Sequence, residues 1–243
     1  MTTLSFVGNA LTAFGPAVAV LVFYVGRSAR LFMMALTRQV PRLAFIWLLS
    51  ILLSSLLGHF IEPVRTNNIA IIIMSVVLQE LARLCCFLAF NAADATLNLI
   101  AKTPDSPFNR VQNAFAAGYG FGIISGLITY ITPLAESTSP GVMECSSCPG
   151  SDVFFIGAIT TCLFIFLHIS WSVMAFDGWF SKQWLQFAWV VLSHVGASMA
   201  TLLIPSTTSN GCVISIAVSA AVLSANAAYC VWRVNWTLKS KSS

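Results

Sequence analysis

The stretch Gly118-Tyr-Gly-Phe-Gly122-Ile-Ile-Ser-Gly126, inside an apolar run from about Val111 to Leu134, constrains this fold more than any other. Glycines 118, 122 and 126 recur every four residues, so on a helix they share one face and leave a strip of bare backbone. In lipid the hydrophobic effect does not press helices together, because the tails are as apolar as leucine. Association there rests on dispersion, interhelical hydrogen bonds and close backbone approach. The strip therefore reads as a docking groove for another helix, with tolerated flexibility as the other reading. Ser125, beside its last glycine, is placed to add an interhelical hydrogen bond. If the received helix belongs to a partner, large side chains at Gly118 or Gly126 are expected to weaken assembly without unfolding the chain.

The surroundings must be lipid. Of 243 residues, 58% are hydrophobic and only 8% are charged, against about 25% charged in a soluble domain. Apolar runs fall at about 4–25, 43–61, 69–90, 111–134, 153–176, 184–204 and 212–232. Each is close to the ~20 residues that cross a hydrocarbon core about 30 Å thick. The fold class is accordingly all-α, a polytopic bundle of seven transmembrane helices forming a single membrane domain. The first run lacks the basic start and small-residue cleavage site of a removable signal, so it is expected to remain as helix one.

The cations orient the bundle. Of twelve Lys and Arg, ten follow odd-numbered spans: Arg27, Arg30, Arg38 and Arg42 after the first, Lys102 and Arg110 after the third, Lys182 after the fifth, and Arg233, Lys239 and Lys241 after the seventh. Arg65 alone follows an even-numbered span, and Arg83 lies inside the third span. Basic residues are retained on the cytosolic side. The N-terminus is thus expected to be lumenal or extracellular and the C-terminus cytosolic.

On the lumenal side, Cys145-Ser-Ser-Cys148 reads either as a tight disulfide or as free thiols. Cys85, Cys86, Cys162, Cys212 and Cys230 read as small apolar residues. The sequon Asn235-Trp-Thr237 falls on the cytosolic side and is expected to be unglycosylated.

Charges inside a span are costly, about 2.5–3.5 kcal/mol for an Arg or Asp at mid-helix on insertion scales, and so need partners. Glu80 and Arg83 are three apart midway along the third span and share a face. His168 lies in the fifth span and His194 in the sixth, and the short connection between these spans lets both rings face one polar site. Two histidines and a carboxylate can hold zinc, relay protons or activate water, or form a hydrogen-bonded assembly core. The chain carries no phosphate loop, nucleophile elbow, zinc-protease helix motif or dinucleotide fingerprint. No span holds the pair of aspartates an intramembrane aspartyl protease needs, and no basic face is suited to nucleic acid.

Several of these segments resemble one family, the anterior pharynx defective (Aph) subunit of γ-secretase. The resemblance is carried by Phe14-Gly-Pro-Ala17, Leu78-Gln-Glu80-x-x-Arg83, the glycines from Gly118 to Gly126, Leu167-His168 with Trp171 and Phe176-Asp177, and Ser193-His194. It implies a non-catalytic scaffold with seven helices and no cofactor, assembling with presenilin, nicastrin and the presenilin enhancer subunit in membrane lipid. It further implies residence in endoplasmic reticulum, Golgi, plasma or endosomal membranes, and a part in cleaving type I membrane proteins of the Notch and amyloid-precursor kind. The family's assembly role for the tandem glycines and for the two intramembrane histidines maps onto Gly118, Gly122, Gly126, His168 and His194. The short C-terminal tail and the loop with Cys145 and Cys148 depart from the family's pattern. A remoter resemblance, to the prenyl-protein (CAAX) intramembrane proteases, rests on Gln79-Glu80-x-x-Arg83, Phe164-x-x-x-His168 and His194-x-x-x-Ser198. It implies an alternative, hydrolysis through Glu80, His168 and His194, although Gln79 stands where that family has a first glutamate.

Overall fold

The structure, a computed structural model, describes residues 3–25, 40–100, 107–139 and 143–242. Arg27, Arg30, Arg38 and Lys102 lie outside the described residues. Seven long helices follow the seven apolar runs: α1 (Thr3–Val20), α2 (Val40–Phe60), α3 (Asn68–Ile100), α4 (Pro107–Glu136), α5 (Val153–Phe180), α6 (Trp184–Ala200) and α7 (Gly211–Ser242). All seven carry a stretch long and apolar enough to cross a bilayer. The protein is an all-helical, multi-pass membrane bundle.

Several boundaries differ from those the apolar runs suggest, α7 for instance running on to Ser242 past the run's end at Trp232. Helix α3 continues to Ile100, because Asn91, Asp94 and Asn98 end the apolar run without a proline or glycine to end the helix. The segment before α5 is a short antiparallel hairpin, β1 (Glu144–Cys145) and β2 (Cys148–Asp152). Asp152 closes it by capping α5, its side chain accepting from the Phe154 amide at 2.9 Å.

Helix α5 is the hub. It packs against α1, α4, α6 and α7, while α2 joins α3 to α4 and α3 joins α6. The six other helices are linked through successive contacts in the order α1, α4, α2, α3, α6, α7, with α3 also touching α4. Helix α4 runs antiparallel to α5, with Gly118 beside Ile169 and Gly157 beside Tyr130. Helix α7 runs parallel to α5: Ile156 shares a cluster with Cys212, Asn226 Nδ2 donates to Ser170 Oγ at 3.1 Å, and Arg233 Nε donates to Asp177 at 3.0 Å. The turn from α5 into α6 is tight. Lys182 adopts a left-handed conformation there (φ 56°), and the Gln183 amide donates to Gly178 O at 2.8 Å, the geometry of a helix C-cap.

Candidate functional site

The four intramembrane polar residues singled out in the sequence meet at one point. Glu80 and Arg83 project from α3, His168 from α5 and His194 from α6, and their exposures are 4%, 1%, 2% and 2%. Arg83 is the centre. One terminal nitrogen donates to Glu80 Oε1, its Nε donates to Ser172 Oγ at 3.1 Å, and its other terminal nitrogen lies 3.2 Å from His168 Nδ1. Glu80 Oε1 also lies 2.7 Å from His194 Nδ1.

These contacts fix the tautomers. A guanidinium only donates, so His168 Nδ1 must accept; a carboxylate only accepts, so His194 Nδ1 must carry the proton it shares with Glu80. The two histidines therefore use the same ring nitrogen in opposite senses. Their rings stand edge to face with centroids 5.3 Å apart, so they occupy one site. Trp171 fills the space beneath: its ring stacks on His194 at 4.1 Å, meets His168 edge-on at 5.5 Å, and its Nε1 donates to Ser193 Oγ at 3.0 Å. From α4, Phe121 presents its face to the guanidinium, 5.5 Å from Cζ. Glu80 Oε2 is buried without a hydrogen-bond partner among the described residues.

This arrangement suits holding helices better than holding a metal. A cation bound by Glu80, His168 and His194 would sit where the Arg83 guanidinium already places its positive charge. His194 directs a proton, not a lone pair, from Nδ1 toward the carboxylate. The four side chains and Ser172 join α3, α5 and α6 by hydrogen bonds.

The glycine strip is filled from within. A Cβ built on Gly118 would stand 2.5 Å from Ile169 Cα and 2.8 Å from His168 O; one on Gly122 would stand 2.6 Å from Ile165 O. Real Cβ atoms do not come so close to backbone, so only glycine lets α4 and α5 meet there. At Gly126 the neighbours are side-chain atoms, Ile165 Cδ1 at 3.0 Å and Thr161 Cγ2 at 3.1 Å. Ser125 is buried beside them, and its carbonyl accepts from Thr129 Oγ1 at 2.8 Å. This corrects the expectation that the strip receives a partner's helix and that large residues there would spare the fold. The bare face is where the sequence places it, but its occupant is α5, whose backbone at Ile165, His168 and Ile169 fills the space the missing side chains leave.

Other functional positions carried weaker signals. Trp47 Nε1 donates to Gln79 Oε1 at 3.0 Å, tying α2 to α3 one residue before Glu80. Asn226, fully buried on α7, donates to Ser170 and accepts from Trp189 Nε1 at 2.9 Å. Gly211, Ser215 and Ser219 repeat the four-residue spacing of α4 on the buried face of α7, a register partly hidden by its two serines.

The cysteine expectation also changes. Cys148 is bonded to Cys212 at the start of α7, and Cys145 is a buried free thiol. Cys212 is therefore not merely a small apolar residue: the α6–α7 connection folds over the hairpin, the Asn210 amide donating to Ser147 O at 2.9 Å, and brings the two sulfurs together.

Comparison with known proteins identifies the architecture. The family model described as "Aph-1 protein" matches residues 4–234, nearly the whole bundle. The mouse protein named "Gamma-secretase subunit APH-1B" is 32% identical over 215 residues, covering 84% of this chain and 80% of its own length. The Drosophila melanogaster "Gamma-secretase subunit Aph-1" is 31% identical over 204 residues, covering 84% and 82%. The Arabidopsis thaliana "Gamma-secretase subunit APH1-like" is 26% identical over 254 residues, covering 100% and 99%. With all seven spans matched from the first helix to the last, the chain belongs to the Aph-1 family.

Proposed function

We propose that this chain is the non-catalytic scaffold subunit of a γ-secretase complex. Its relatives named as subunits of that complex support the assignment. One observation carries the non-catalytic part: Arg83 is bonded to Glu80 and against His168, while His194 is bonded to Glu80. Glu80 Oε1 and the Nδ1 atoms of His168 and His194, groups a hydrolase would use to activate water, are already engaged in joining α3, α5 and α6. A buried ion pair of this kind contributes little net stability but fixes which helices meet and in what register. The glycine strip supports the same role indirectly, since Gly118 seats the turn of α5 that carries His168. Assembly is then sensitive to the strip because the bundle's outer surface depends on where α5 stands.

On this reading the catalytic aspartates come from presenilin, and nicastrin and the presenilin enhancer complete the complex. Partner helices contact the outward faces of the bundle, and lipid covers the rest. The N-terminus is lumenal and the C-terminus cytosolic. Both the distribution of Lys and Arg and the Cys148–Cys212 bond, on the side shared with the N-terminus, support that orientation, because disulfides persist in oxidising compartments. The 243 residues act as one membrane domain in endoplasmic reticulum, Golgi, plasma or endosomal membranes, and the complex processes type I membrane proteins of the Notch and amyloid-precursor kind.

Co-expression with the partner subunits and purification in mild detergent tests the proposal. His194→Ala is expected to lower the yield of complex, while the lone purified chain cleaves no peptide bond. Cleavage by the lone chain that is lost on Glu80→Gln would overturn the scaffold reading in favour of a hydrolase.

A further inference from the structure

We propose that Cys145, Cys148 and Cys212 form a thiol–disulfide exchange triad, in which Cys148 alternates between a long-range bond to Cys212 and a local bond to Cys145. The three cysteines share one buried cluster with Ile156. Cys148 is within bonding range of both partners. Its Cα lies 6.2 Å from that of Cys212, and Cys145 is its direct cross-strand partner in the hairpin. Paired antiparallel residues have Cα atoms about 4.5–5.5 Å apart, inside the roughly 4.4–6.8 Å span of disulfides. The Cys145 thiol is buried, 3.5 Å from Ser147 Oγ and 3.4 Å from Ile204 O, in the crease between hairpin and α6–α7 connection that the disulfide also closes.

The step is balanced without an external oxidant. The Cys145 thiolate attacks the Cys148 sulfur, the Cys148–Cys212 bond breaks, the Cys145–Cys148 bond forms, and Cys212 leaves as a thiolate. It takes up a proton equivalent to the one Cys145 gave. Only the thiolate attacks, and the exchange runs on the slow scale of uncatalysed disulfide rearrangement, minutes to hours.

The two isomers hold different structures. With Cys148 joined to Cys212, the hairpin is tied covalently to the first turn of α7, where the Cys212 amide also donates to Ser147 Oγ at 3.0 Å and Ser147 Oγ donates to Ile204 O at 2.8 Å. With Cys148 joined to Cys145, the covalent tie lies within the hairpin. The start of α7 and the connection before it are then held without a covalent tie, by those hydrogen bonds, by the one from the Asn210 amide to Ser147 O and by apolar packing. The triad is therefore a redox-neutral latch on one end of the α5–α7 pair, remote from the Arg83 cluster and independent of whether the chain acts as a scaffold.

Full-length protein, purified in mild detergent without reductant, tests the latch. It is held at alkaline pH, acid-quenched, alkylated with N-ethylmaleimide, digested and mapped by mass. The expected result is two populations: one with Cys145 alkylated and Cys148 joined to Cys212, the other with Cys212 alkylated and Cys145 joined to Cys148. The second should grow with time before the quench. Cys145→Ser should abolish Cys212 alkylation altogether while keeping the Cys148–Cys212 bond. If Cys145 remains the only one of the three alkylated in the wild type at every time, or if Cys212 is alkylated equally in Cys145→Ser, the latch does not exist. The first reading needs no variant, so a misfolded mutant cannot obscure it.

Discussion

The two sides of α5 are joined to their neighbours by opposite means. Toward α4, side chains are removed: Gly118 and Gly122 let backbone meet backbone. Toward α3 and α6, side chains are made long and charged, and Arg83 reaches across to His168 and Ser172. The first contact is intolerant of any added atom but indifferent to charge. The second is indifferent to modest changes of volume but intolerant of losing one partner, because a single charge left in the bilayer interior has nowhere to turn. Both converge on the turn around His168, whose carbonyl faces Gly118 and whose ring faces Arg83.

Removing one partner from the charged side should produce the largest effect. Arg83→Ala leaves Glu80 uncompensated and should destabilise the bundle by about 3–5 kcal/mol, read as a lowered unfolding midpoint in mixed micelles. An Arg83→Met, Glu80→Leu pair should recover much of that loss; a double variant as unstable as the single one would show that the charges themselves matter little. On the glycine side, Gly122→Ala should cost about 1–3 kcal/mol through overpacking. Gly126→Ala should cost less, since Ile165 Cδ1 and Thr161 Cγ2 can move aside. Equal effects at the two positions would mean that α4 and α5 slide apart instead.

Smaller still is the coupling between the histidines. His168→Ala and His194→Ala should be non-additive by about 0.5–3 kcal/mol, because Arg83 and Glu80 link the rings; strict additivity in thermal midpoints would deny the shared site. The smallest effect, with opposite sign, belongs to Gly196, whose outward position on α6 has nothing within reach of an added Cβ. Gly196→Ala should stabilise the helix by up to about 1 kcal/mol, and any loss would place an unseen neighbour against that face.

How much of this was legible beforehand follows from what each signal depends on. Seven spans could be read directly, since hydrocarbon thickness sets a length that apolar runs either meet or miss. The short connection between their helices allowed His168 and His194 to meet without requiring it. What a helix face touches was not legible: the spacing of Gly118, Gly122 and Gly126 states that something comes close, and nothing local distinguishes α5 from a partner's helix. Cys148 and Cys212, separated by 64 residues, come together only through the folding of two connections over each other, which the local spacing of Cys145 and Cys148 does not announce. Ser172 gave no signal, because a serine one turn past His168 is unremarkable until Arg83 is seen beside it.

The position of Cys212 in the first turn of the last span sets the calendar of the chain's own manufacture. While the fifth and sixth spans are still being made, Cys148 has already been synthesised with Cys145 as its neighbour and no Cys212 to meet. The long-range bond can close only once the seventh span has been delivered to the membrane. Its presence is thus a covalent record that the seventh span has been made.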